Sequence, residues 1–108
     1  MATAKLVVIF PRPHDEGTFE KVYKHVHLPM VEETLKGVNR FTATRIVTSP
    51  LGQTRTYRIA EVHFSTMAAL QACMATEGWA KVLEHARTIS TGGPPIILIC
   101  EEESYLFW

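Results

Sequence analysis

Tyr23-Lys24-His25-Val26-His27-Leu28-Pro29-Met30 places a proline where an amphipathic helix should continue, with a tyrosine and a histidine one turn apart beside it. Pro29 has no backbone N–H to donate, and its ring clashes with the carbonyl four residues earlier, that of His25. Leu28 is pushed away from helical geometry as well. The helix is therefore expected to end or kink near His27. That leaves free carbonyls and a titratable ring at one spot, where a pocket can open.

Around the proline, Phe19, Val22, Tyr23, Val26 and Met30 recur at helical spacing, while Glu20, Lys21, Lys24 and His25 fall on the other side. Asp15 or Thr18 can cap this helix. Met30 to Leu35 reads as a further short turn with Pro29 at its tolerated first position, closed by Gly37. Before the helix, Lys5 to Phe10 is an apolar run stopped by Pro11-Arg12-Pro13, and reads as a strand. After it, Val38 to Ser49 is rich in β-branched residues, Ser49-Pro50-Leu51-Gly52 is a turn, and Thr56 to Phe64 pairs back as a hairpin. Ser65-Thr66 caps a helix carrying Met67, Leu70, Cys73 and Met74. Gly78 interrupts it, and Trp79, Val82, Leu83, Ala86 and Ile89 begin a second apolar stripe. Gly92-Gly93-Pro94-Pro95 is a loop and Ile96 to Cys100 the last strand. The order β-α-β-β-α-β over residues 1–108 is one α+β domain: an antiparallel ferredoxin-like sheet with helices on one face.

Leu6-Val7-Val8-Ile9-Phe10 and Ile96-Ile97-Leu98-Ile99-Cys100 do not alternate, so both sheet faces should be buried. Helices cover only one face in this topology. A second copy packed sheet to sheet is the expected cover, making the chain a homodimer. The other candidate is the segment Tyr105-Leu106-Phe107-Trp108, folded back.

With 11 basic and 11 acidic side chains the net charge is near zero and no basic stripe exists, which argues against nucleic acid or an anionic membrane as partner. No apolar run is long enough to span a membrane, and no signal pattern opens the chain. Cys73 and Cys100 lack metal-type or paired spacing and read as reduced core thiols of a cytoplasmic protein.

On a helical wheel Val26 and Met30 lie at the centre of the buried stripe, Tyr23 beside them and His27 at its edge, with His25 facing solvent. His25 and His27 therefore do not converge on a metal. Tyr23 and His27 are i,i+4 neighbours and form a candidate acid/base pair. The plainer role for His27 is to hydrogen-bond the carbonyls freed by the proline. On the third strand Glu61 and His63 share a face with Tyr57 and Ile59, opposite Arg58, Ala60, Val62 and Phe64. Glu61 needs a partner if buried, with Arg45 and His63 as candidates, and either Glu61 or His63 is a candidate proton carrier in a cleft. His14 and His85 read as surface residues without a role. No HExxH, CxxC, phosphate loop or nucleophile elbow occurs, so no metal or cofactor is expected.

The β-α-β-β-α-β order, the expected sheet-to-sheet pairing and the residues Tyr23, His27, Pro29 and Met30 together resemble the EthD family of the dimeric α+β barrels. Arg45-Ile46-Val47 leading into Ser49-Pro50-Leu51-Gly52, the Glu61 strand and Ile99-Cys100-Glu101-Glu102 extend the resemblance over about residues 5 to 103. Met30 stands where leucine is more typical, and the tail from Tyr105 lies outside the resemblance. The resemblance implies a dimeric barrel with a small-molecule cleft between helices and sheet in each subunit, and His27 then Tyr23 as its site residues. Two functions are then expected. One is metal-free acid/base chemistry on a small apolar or aromatic compound: cyclisation, dehydration, isomerisation or cofactor-free oxygenation. The other is a non-catalytic accessory protein that holds an intermediate for a P450-type oxidoreductase. A haem-binding variant with His27 as axial ligand is a lesser expectation.

Overall fold

The computed structural model describes residues 3–107. Strand β1 (Thr3–Pro11) leads into helix α1 (Glu16–Val22), a π-helical turn (Tyr23–His27) and helix α2 (Leu28–Thr34). Strands β2 (Arg40–Arg45) and β3 (Thr56–Phe64) follow, then helices α3 (Met67–Met74) and α4 (Glu77–Ile89), and strand β4 (Ile96–Glu102). The sheet order is β2-β3-β1-β4, and all three pairings are antiparallel. This is the ferredoxin-like α+β arrangement expected from the element order.

Caps set the helix starts. Asp15 Oδ1 accepts from the Thr18 N–H at 3.0 Å, Thr66 Oγ1 from Ala69 at 3.1 Å, and Thr76 Oγ1 from Trp79 at 3.2 Å. Thr76 thereby starts α4 after a short break, so Gly78 lies inside its first turn and not at the interruption. Strand β2 is shorter than its β-branched sequence suggested and stops at Arg45.

The largest departure is at Pro29. The helix does not end there. The Leu28 N–H donates to the Tyr23 carbonyl, five residues back, and the chain re-enters α geometry with Pro29 in the first turn of α2. The wider turn accommodates a residue that cannot donate and would crowd the His25 carbonyl. It also loops one residue out of phase, a rotation of about 100° for everything downstream. His27 takes the buried place that an unbroken helix gives to Val26, and Val31 takes that of Met30. His27 is accordingly 5% exposed and Val31 7%, while Val26 is 48% exposed.

Ala4, Leu6, Val8 and Phe10 of β1 point under the helices, against Val62, Phe64, Leu70 and Trp79 at one end and Phe19, Tyr23 and Tyr57 at the other. The opposite sheet face carries Lys5, Val7 and Ile9 beside Leu98 and Ile96, which are 42% and 53% exposed. Tyr105, Leu106 and Phe107 do not fold back over it and are themselves 74–96% exposed, while Trp108 lies outside the described residues. Among the described residues no helix is long and apolar enough to cross a membrane.

Candidate functional site

The π-helical turn delivers His27 into a cleft between the sheet and helices α2 and α4. Val8, Phe10, Phe41, Trp79, Leu83 and Ile97 are among its walls, and His27 is its one ionisable lining residue among the described residues. The space inside is about 20 Å³, room for the centre of about one water molecule.

Four rings form a column across this region. Phe19 stacks on Tyr23 at 5.2 Å between centroids and Tyr23 on His27 at 5.8 Å, with interplanar angles of 22° and 17°, and His85 continues the row edge to edge with His27, 5.1 Å away and tilted by 14°. Phe10 meets the first three edge-on at 5.4, 5.6 and 6.1 Å. Offset stacking plus edge contacts are the favoured geometries for such rings, and they fix the imidazole plane of His27. The Nδ1 atoms of His27 and His85 are 2.8 Å apart, so the two share one hydrogen. With Nδ1 engaged, Nε2 is the nitrogen His27 has left for a ligand. Burial, and secondly the neighbouring His85, lower the His27 pKa to about 4. His27 is therefore neutral at pH 7, with a ring nitrogen able to accept a hydrogen bond.

Tyr23 is placed differently from expectation. Its ring is fully buried beside His27, but its hydroxyl has no partner among the described residues and Tyr23 is not among those lining the cleft. Burial pushes its pKa up to about 12. Arg58, bound to Glu20, lies over the other part of the same ring at 5.0 Å from its centroid.

Glu61 and His63 are not brought to this cleft. They share a face, as alternation requires, but it is the helix-free face of the sheet. Glu61 pairs with Lys5 at 2.6 Å and accepts from Thr42 at 3.4 Å; Lys5 also reaches Glu102 at 2.9 Å. The Lys5 hydrogen bond holds the Glu61 carboxyl below its usual range. Arg45 stands opposite Arg58 and is not Glu61's partner. His63 is buried, with Nδ1 3.7 Å from Glu102 and Nε2 unpartnered. Tyr57 leaves that face because the register shifts between Phe10 and Pro11, and it packs edge-on to Phe19 at 5.7 Å.

His85 is the residue that sequence reasoning passed over. It read as a surface residue of the last helix, and nothing in the sequence tied it to His27, 58 residues away. Among the described residues no group of three or more His, Cys, Asp or Glu could hold a metal ion.

No family model matches the chain, and no curated protein matches it. Solved structures do. An ethyl tert-butyl ether D (EthD) family protein from Bacillus halodurans is 27% identical, with a TM-score of 0.86 over 94% of this chain and 99% of that one. A dimeric ferredoxin-like protein of unknown function from Jannaschia is 15% identical, with a TM-score of 0.66 over 92% of this chain and 99% of that one. A point mutant of SnoaB, a cofactor-independent oxygenase from Streptomyces nogalater, is 14% identical, with a TM-score of 0.64 over 97% of this chain and 96% of that one.

Proposed function

We propose, from the EthD-type ferredoxin-like fold of this chain, that it processes a small, largely apolar organic molecule in the cleft, with His27 as proton carrier and no metal. The observation that carries this reading is a neutral, ring-stacked imidazole as the one ionisable group in an apolar cleft. The likeness to a cofactor-independent oxygenase agrees with it at the level of fold.

The cleft chemistry narrows the substrate. His27 Nε2 takes a proton from a carbon or hydroxyl of the substrate, leaving an anion. Apart from the His27 imidazolium that this step creates, the walls offer that anion no cationic side chain among the described residues, so a substrate that delocalises the charge itself is favoured. A base whose conjugate acid titrates near 4 is also a weak one. Both point to an acidic, conjugated substrate, such as a phenol or a carbonyl compound with an activated C–H. Isomerisation, dehydration, cyclisation and cofactor-free oxygenation all begin with this step. Tyr23 serves it by stacking on His27 and fixing the ring plane.

The helix-free face pairs with a second copy, in this reading. Half-exposed Ile96 and Leu98 beside Val7 and Ile9 form the apolar part, and Lys5, Glu61, His63 and Glu102 its polar part. Glu61 and His63 then act in assembly and not in the cleft. The free thiols of Cys73 and Cys100 suit a reducing cytoplasm.

The test is solvent-deuterium exchange into a panel of aryl ketones and substituted phenols, followed by proton NMR. The protein should catalyse exchange at the activated carbon of at least one, and His27→Phe should slow it on the order of 100-fold or more while remaining folded. Binding without exchange across the panel would replace the catalytic reading with that of an accessory binding protein.

A further inference from the structure

His85 lies between two spaces. On one side its Nδ1 shares a hydrogen with Nδ1 of His27, which lines the cleft. On the other it lines a surface groove with Met30, Ala80, Lys81, Glu84 and Thr88. The cleft is the more enclosed of the two spaces and the groove the more open to water. A proton taken up inside has no other ionisable group on the cleft wall to receive it.

We propose that His27 and His85 form a two-ring relay that moves protons between the cleft and the surface groove. The order of events balances at each nitrogen. In the outward direction His27 starts with hydrogen on Nδ1 and a lone pair on Nε2, and His85 with hydrogen on Nε2 and a lone pair on Nδ1. Nε2 of His27 takes the substrate's proton, Nδ1 of His27 passes its own to Nδ1 of His85, and Nε2 of His85 gives one to water in the groove. Both rings end neutral, each with its tautomer exchanged. Return of a proton along the same path to the product restores both tautomers. The 2.8 Å separation is within hydrogen-bond range, so the middle transfer needs no rearrangement of the rings. The rings are tilted by only 14° with centroids 5.1 Å apart, so they meet edge to edge with the two Nδ1 atoms facing each other. The charged neighbours on α4 are Lys81 and Glu84, both on the groove side.

The relay rests on the reading of His27 as proton carrier, but its test needs no substrate. Solvent exchange of the His27 ring N–H is measured by nitrogen-edited NMR on the protein alone. His85→Asn retains a polar partner near the Nδ1 position but cannot pass a proton on, and exchange should slow on the order of tenfold or more. In His85→Ala, added imidazole should occupy the vacated place and restore exchange in proportion to its concentration. A merely structural His85 would change the His27 tautomer without this rescue. Unchanged exchange in both variants would overturn the relay. Working exchange in a protein that turns over nothing would leave the relay standing and remove the catalytic reading.

Discussion

Arg58 grips Glu20 through two parallel hydrogen bonds, Nε to Oε2 at 3.0 Å and Nη2 to Oε1 at 2.5 Å, tying β3 to α1 beneath the Tyr23 ring. Arg58 is only 6% exposed, and its hydrogen bonds hold the Glu20 carboxyl below the usual carboxylate range. Glu20→Gln leaves a buried guanidinium without its counter-charge. Urea unfolding at pH 7 should show a loss of about 3 kcal/mol, the low end for breaking a buried pair. A midpoint equal to wild type would contradict a stabilising role for the pair.

Acid should destabilise the fold in two successive windows that meet between about pH 4 and 4.5. His27 has a lowered pKa in the fold, near 4 against an ordinary 6.5, so the unfolded chain binds its proton first as pH falls. Its contribution is fully present above pH 6.5 and is lost on descent to about 4, on the order of 3 kcal/mol in all. Glu20, also lowered, acts only at more acid pH, where its unfolded form protonates. In urea midpoints from pH 8 to 4, His27→Phe should keep the ring column but lose the upper slope. A variant with the same slope as wild type would refute this assignment.

Thr34 and Gly78 set the spacing of α2 and α4. A β-carbon on Gly78 would lie 2.6 Å from Thr34 Cγ2 and 2.9 Å from the Thr34 carbonyl oxygen. Alanine is ordinarily the better helix former by about 1 kcal/mol. Here the contact with fixed backbone outweighs that gain, and Gly78→Ala should lose about 1–3 kcal/mol. Thermal unfolding of Gly78→Ala, alone and with Thr34→Ser, should show a fall and a partial recovery. A Gly78→Ala variant more stable than wild type would mean the helices part at no cost.

Leu98 is 42% exposed on the helix-free face, two residues from Ile96 at 53%. In an isolated chain Leu98→Glu costs little, because the position already meets water. In a dimer it buries a carboxylate against an apolar surface. Sedimentation at micromolar concentration should give a dimer for wild type and a monomer with native circular dichroism for Leu98→Glu. A monomeric wild type would remove the dimer from the proposal.

The strands, the helix caps at Asp15 and Thr66, and the β-α-β-β-α-β order were legible because each rests on local pattern. Hydrophobic runs and capping residues act within a few positions. The pairing of Glu61 with His63 on one face was legible for the same reason, since it follows from a period of two. The cleft was less so. A helical wheel assumes an unbroken period, and the π-helical turn before Pro29 adds a residue to it, exchanging Val26 for His27 in the interior. Tyr57 was misplaced by a comparable slip, the register shift opposite Pro11. His85 depends on how α4 lies against the turn, a tertiary fact without a sequence signature.

The small size of the space beside His27 has a thermodynamic consequence. With room for about one water, the described conformation is not the one that receives an organic compound. Under the proposed function, binding would select a minor population with α2 and α4 further from the sheet, and the apparent dissociation constant would be the intrinsic one divided by that population. Residues that never touch the ligand can therefore govern affinity. Thr34 and Gly78 hold the two helices together outside the cleft, and loosening that contact should tighten binding even as it weakens the fold.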